Sequence, residues 1–159
     1  YDLVDVILGK QCDAVLFELY PTELQQVLFD YVQNKRAKLL LSGAYVASSK
    51  KSDVFMQKGL RYKLAQDAAT QNGLVISPEK KTMYHLQLWP NANQYFVQNV
   101  EAILPEDKKG EIILRYADTN LPAAISVGKK TKTVVAGFPF ECVVGDEARR
   151  CLMKLLIEE

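Results

Sequence analysis

After Asp2 the chain opens with LVDVILG, apolar at every position to Leu8 except Asp5. A run without alternation is expected of a strand covered on both faces, the pattern typical of parallel sheets. From Thr22 the spacing changes. TELQ reads as a capping box behind Pro21, and Leu24, Val27, Leu28, Tyr31 and Val32 then recur on one helical face. The helix should end in Lys35 and Arg36, where cations suit the negative end of the helix dipole, and KLLLSG (38–43) follows as a second strongly apolar strand. A strand, helix, strand unit closes right-handed with its two strands parallel. The expected fold class is therefore α/β, a doubly wound, mostly parallel, flavodoxin-like sheet.

Further along, Asp53 can cap a helix carrying Met56, Leu60, Leu64 and Ala68 at spacing four until Asn72-Gly73 stops it. LVIS (74–77) and YHLQLW (84–89) read as strands joined by a Pro-Glu-Lys-Lys turn, and Ile112 to Tyr116 as another. Ala123 to Val127 should pair with Lys132 to Phe138 across the lysine-rich glycine turn GKKTK, giving a late antiparallel hairpin. Asp146 and Glu147 then open a last helix, with Ala148, Cys151, Leu152, Leu155 and Leu156 at the i, i+3, i+4, i+7, i+8 spacing of an apolar face.

Length and charge narrow the possibilities. A chain of 159 residues fits one domain spanning 1–159. Twenty basic and nineteen acidic side chains leave a net charge of +1, so no global field gathers nucleic acid. The apolar runs fall far short of the roughly 20 residues of a membrane span, and a soluble domain is expected. No basic leader precedes the opening strand, so the chain reads as a fragment of a longer multidomain polypeptide. Cys12, Cys142 and Cys151 lack CxxC spacing, which favours buried, inert thiols over a zinc site or a disulfide framework. A single histidine, His85, supplies no metal motif, and LGKQC after the first strand lacks the glycines of a phosphate loop. No cofactor and no metal are expected.

Two strand ends hold the candidate chemistry: LLLSGAYVASS around Ser42, and VVAGFPFEC, which runs through Gly137 to Glu141. Ser42-Gly43-Ala44 is small enough for a nucleophile at a sharp turn, although Leu40 and Ala44 stand where G-x-S-x-G requires glycine. The order strand, helix, LLLSGAYVAS, hairpin, GFPFE, last helix resembles the class I glutamine amidotransferase-like superfamily. Laid on that family's Phe-His-Pro-Glu type motif, Phe138 matches the phenylalanine and Glu141 the glutamate, while Pro139 falls where the catalytic histidine belongs. The resemblance thus implies a site without its base. In wording, the segments look closer to a domain of large Bacteroidetes cell-surface proteins labelled xanthan lyase-like, some of whose relatives are described as N-acetylmuramoyl-L-alanine amidases. That likeness implies a periplasmic or cell-surface parent. This chain would then be a non-catalytic accessory domain whose partners are neighbouring domains, beside a module acting on or binding polysaccharide or peptidoglycan.

Two other functions compete. In a serine-dependent amide or ester hydrolase, Ser42 would be the nucleophile, His85 the base and Glu141 its orienter or an acid. In a carbohydrate-binding domain, aromatic rings would stack on sugar faces beside Asn91, Asn93 and Gln94, with Tyr45, Tyr84, Trp89 and Tyr95 as the candidate ligand-binding residues. Against these stand plainer roles. Glu141 can accept loop N–H groups, Phe138 and Phe140 can fill core, and Tyr84, Leu86 and Leu88 alternate as one buried strand face.

Overall fold

The computed structural model describes residues 3–8, 22–33, 38–48, 55–94, 96–128 and 132–157. Nine strands are present among them: β1 (Leu3–Leu8), β2 (Lys38–Gly43), β3 (Tyr62–Gln66), β4 (Leu74–Ile76), β5 (Met83–His85), β6 (Ala102–Pro105), β7 (Gly110–Tyr116), β8 (Pro122–Val127) and β9 (Lys132–Ala136). Two α-helices, α1 (Thr22–Gln33) and α2 (Asp146–Ile157), accompany them. Seven strands form one sheet in the order β1-β2-β9-β8-β7-β4-β5, and β3 pairs with β6 in a second, two-stranded sheet.

The expected β1–α1–β2 unit is present, and β1 runs parallel to β2. Beyond it the doubly wound, flavodoxin-like α/β expectation fails. β2 pairs with β9 in parallel, but β9 with β8, β8 with β7, β7 with β4 and β4 with β5 are all antiparallel. The sheet is mixed and mainly antiparallel, strands dominate, and the described helices are few. The apolar runs misled because they report coverage of both faces, not strand direction. Leu39 and Leu41 of β2, Val135 of β9 and Ile125 and Val127 of β8 pack on one side with Phe29, Tyr31 and Val32 of α1 and with Leu60, Tyr62 and Ile103. Leu40, Val134, Ala136 and Ala124 face the other way, toward Phe138, Cys142, Leu152, Leu155 and Leu156. An antiparallel sheet sandwiched in this way needs the same unbroken hydrophobic strands as a parallel one.

Local departures have local causes. The helix expected from Asp53 to Asn72 is a single π-helical turn, Phe55–Leu60, followed by β3. Arg61 takes φ of 60°, a left-handed conformation that ends the turn and sends Tyr62 into the core. Leu64, assigned to an apolar helix face, is exposed in β3. Val27 of α1 is likewise exposed, and so is the Cys151 thiol, which was expected to be buried. Asp53 and Cys12 lie outside the described residues. The hairpin of β8 and β9 forms as expected, with Ala124 opposite Ala136 and Val127 opposite Thr133.

The sheet also curls. Phe140 N–H approaches the Ser42 hydroxyl on β2, and three residues later Val143 forms an antiparallel bridge with Leu86, just past β5. Three residues reach about 11 Å. Five strand spacings separate β2 from β5 in the sheet order, roughly 24 Å if flat, so the sheet must bend for one short segment to touch both. Val144 N–H donates to His85 O at 2.8 Å and Gln87 N–H to Cys142 O at 2.7 Å, and these bonds cover the outer edge of β5.

Candidate functional site

The C-terminal ends of β2 and β9 lie side by side, with Ser42 opposite Ala136. Beyond Ser42 and Gly43 the chain turns through residues 44–48, burying Ala44, Val46 and Ala47 and leaving Tyr45 half-buried against the core. Beyond Ala136 it passes through Gly137, Phe138 and Pro139 into a 3₁₀ turn, Phe140–Cys142.

Ser42 is only 1 % exposed, and its hydroxyl oxygen accepts from Phe140 N–H at 3.4 Å. His85 stands on the solvent side of β5, between the buried Tyr84 and Leu86. The structure does not join the two: among the described residues no hydrogen bond links the Ser42 hydroxyl to the His85 ring. Glu141 sits half-buried in the middle of the 3₁₀ turn, and its Oε2 is shielded from solvent without a hydrogen-bond partner. Next to it, Cys142 Sγ donates to Pro139 O at 2.9 Å. Burial, and after it the Glu141 charge, push that thiol far above its ordinary range, which disfavours the thiolate.

Gly137 answers why a core strand should end in glycine. Glu101, four strands earlier in sequence, donates its N–H to Gly137 O at 2.8 Å, and the Glu101 backbone lies directly against Gly137 Cα. A methyl group built there would stand 2.9 Å from the Glu101 carbonyl carbon and nearer still to its oxygen. Only a residue without Cβ permits this approach. Phe138, 1 % exposed, then fills the core, and Pro139, buried with φ of −66°, turns the chain.

Glu101 itself is the residue that sequence reasoning passed over. It is fully buried, its carbonyl accepts from the Tyr116 hydroxyl at 2.8 Å, and its Oε2 accepts from Ala47 N–H at 2.8 Å. Oε1 has no hydrogen-bond partner. Burial raises its pKa to about 7; the Ser48 hydroxyl and the Ala47 and Ser48 N–H groups oppose the rise, and the nearby Asp67 charge adds to it. The signal in the sequence was a lone carboxylate in the apolar stretch NVEAIL.

The aromatic candidates separate. Tyr84 is 3 % exposed and alternates with Leu86 and Leu88 as a buried face, so its ring is core, and burial followed by the neighbouring Cys151 raises its hydroxyl pKa. Tyr45 packs against the same cluster. Tyr95 lies outside the described residues. Trp89 is 69 % exposed. Its loop is fixed at the base: Val97 N–H donates to Gln87 O at 3.0 Å, Gln87 Nε2 to Trp89 O at 2.7 Å, and Gln94 Nε2 to Val143 O at 3.3 Å. Asn91 Oδ1 accepts from Asn93 N–H at 3.0 Å, shaping the tip.

Among the described residues no group of three or more His, Cys, Asp or Glu side chains could hold a metal ion, and no helix is long and apolar enough to cross a membrane. No protein-family model and no curated protein matches the chain.

Proposed function

We propose that this chain is a non-catalytic accessory domain of a larger exported protein that acts on or binds polysaccharide or peptidoglycan, and that its contact surface is the Trp89 loop. The observation that carries the reading is the indole of Trp89, left 69 % exposed on a loop whose base is hydrogen-bonded to the body of the domain. Burying a side chain of that size gains about 2–3 kcal/mol, so an exposed ring on a tethered loop offers that gain to a partner. The flat apolar face of a sugar ring suits it, with the exposed Asn91 and Asn93 beside it to orient hydroxyl groups. Likeness of the segments around Ser42 and Glu141 to the Bacteroidetes cell-surface domain supports the exported parent. The serine-hydrolase alternative gains no base from the geometry around Ser42.

Trp89 is the sole tryptophan, which makes its fluorescence a direct probe. Titration with soluble muropeptides and with xanthan oligosaccharides should shield it from acrylamide and shift its emission. Calorimetry with Trp89→Ala should show affinity reduced at least tenfold. Unchanged quenching together with no heat of binding for either sugar class would remove the glycan reading.

A further inference from the structure

The buried carboxyl of Glu101 has no role in the proposed glycan contact, and its surroundings are unusual. One oxygen holds Ala47 N–H, the other has no partner, and the residue's backbone is clamped between Gly137 and Tyr116. We propose that Glu101 is a protonation-controlled latch on the turn 44–48. With the carboxyl neutral the turn closes over it, and ionisation opens the turn to admit water.

The argument rests on where each bond falls. Glu101 sits on the chain entering β6, and its main chain cannot retreat, because both its N–H and its carbonyl are engaged on β7 and the end of β9. The turn is the softer partner. Its side chains are mostly small, Ala44, Val46 and Ala47, and it is held by Ala47 N–H on Glu101 Oε2 and by the Tyr62 hydroxyl donating to Val46 O at 2.5 Å. A buried carboxylate with one oxygen unsatisfied is costly, and hydration through a displaced turn relieves that cost.

The titratable and charged groups around it do not compensate. Tyr116, from β7, is fully buried and spends its hydroxyl on the Glu101 carbonyl, and burial raises its own pKa well above the ordinary value. Asp67, following β3, carries a like charge and takes up Ala68 N–H and the Asn99 amide. Ser48, from the turn itself, favours the ionised form through its hydroxyl and N–H, as Ala47 N–H does, but burial outweighs all three. Among the described residues the two ion pairs, Arg61 with Asp107 and Arg149 with Asp146, leave Glu101 without a cation.

Because the closed state holds the proton more tightly than the open one, opening is favoured as pH rises from the ordinary carboxyl range to the closed-state value. With limits of 4.5 and about 7, the opening equilibrium should rise about 300-fold between its acid and alkaline plateaus, about 70-fold of it between pH 5 and 8. Amide hydrogen exchange of residues 44–48, corrected for intrinsic chemistry, reads this directly between pH 5 and 8. Wild type should show the rise, and Glu101→Gln, which keeps an oxygen for Ala47 N–H but cannot ionise, should show none. A flat wild-type profile, or the same rise in the variant, would overturn the proposal. So would turn amides exchanging no faster than those of β8, because the opening would then be global unfolding. If the variant fails to fold, carbon-13 titration of the Glu101 carboxyl in wild type decides: a midpoint near 7 supports the latch, and an ordinary one overturns it.

Discussion

Replacing Gly137 with alanine tests the close approach on which the site is built. The added methyl would meet the Glu101 carbonyl carbon at 2.9 Å, where carbon atoms ordinarily rest at about 3.5–4.0 Å, so the two backbones must part by roughly 1 Å. That movement breaks or stretches the bond from Glu101 N–H to Gly137 O, now 2.8 Å, and pulls on the Tyr116 hydroxyl at the Glu101 carbonyl. A lost buried hydrogen bond costs about 1–3 kcal/mol and the overpacking another 1–3 kcal/mol. Alanine stiffens the unfolded chain and returns about 0.4–1 kcal/mol. The expected net loss is about 2–5 kcal/mol, a large share of a typical domain's stability. Urea unfolding followed by far-ultraviolet circular dichroism measures it, and with a slope of about 2 kcal/mol per molar the midpoint should fall by roughly 1–2.5 M. Gly145→Ala is the control. Gly145 has φ of +93°, but a methyl there would come no nearer than 4.0 Å to Ala148 Cβ, so its cost is backbone strain alone, about 1–2 kcal/mol. If Gly137→Ala costs less than Gly145→Ala, or under about 1 kcal/mol, the close-approach account is wrong.

Other outcomes follow from the same geometry. A fluorophosphonate probe should leave the intact mass unchanged, because the Ser42 hydroxyl is sealed and accepts from Phe140 N–H; an adduct lost in Ser42→Ala would restore the hydrolase reading. Tyr62→Phe removes the buried bond to Val46 O and should cost about 1–2 kcal/mol in the same urea assay while speeding exchange of the 44–48 amides. Burial alone would raise the Asp118 pKa, but Gln71 N–H, the Thr70 hydroxyl and Asn72 N–H outweigh it, and the carboxyl lies below the ordinary aspartate value. Its stabilisation is thus present above the unfolded-state pKa of about 3.9 and is lost as pH falls through the lowered folded value. Thermal melts from pH 5 to 2 should show a shallower acid dependence for Asp118→Asn, and identical profiles would refute this.

Legibility differed from element to element for physical reasons. The amphipathic spacing of α1 and α2, the β8–β9 hairpin and the alternation of Tyr84, Leu86 and Leu88 were visible because each depends on neighbours in sequence. The stretch from Met56 to Ala68 carries helical spacing too, yet Arg61 breaks it and β6 supplies a strand partner from forty residues away, which no local pattern encodes. Ser42 does lie near the end of β2, while Glu141 falls five residues beyond β9 in the 3₁₀ turn, and whether a base stood near either depended on the curl of the sheet. Glu101 escaped notice because its importance lies in contacts with Ala47, Tyr116 and Gly137, all distant in sequence.

The sequence alone determined that β2, β8 and β9 are buried, where α1 and α2 form, and that the chain carries almost no net charge, since burial and periodicity are written in residue order. Tertiary structure decided strand direction, because an unbroken apolar run records coverage of both faces and is the same whether its neighbour runs parallel or antiparallel. It also decided that Gly137 serves Glu101 and that Trp89 faces solvent, since the close approach of one backbone to another and the exposure of a ring exist only once distant segments have met.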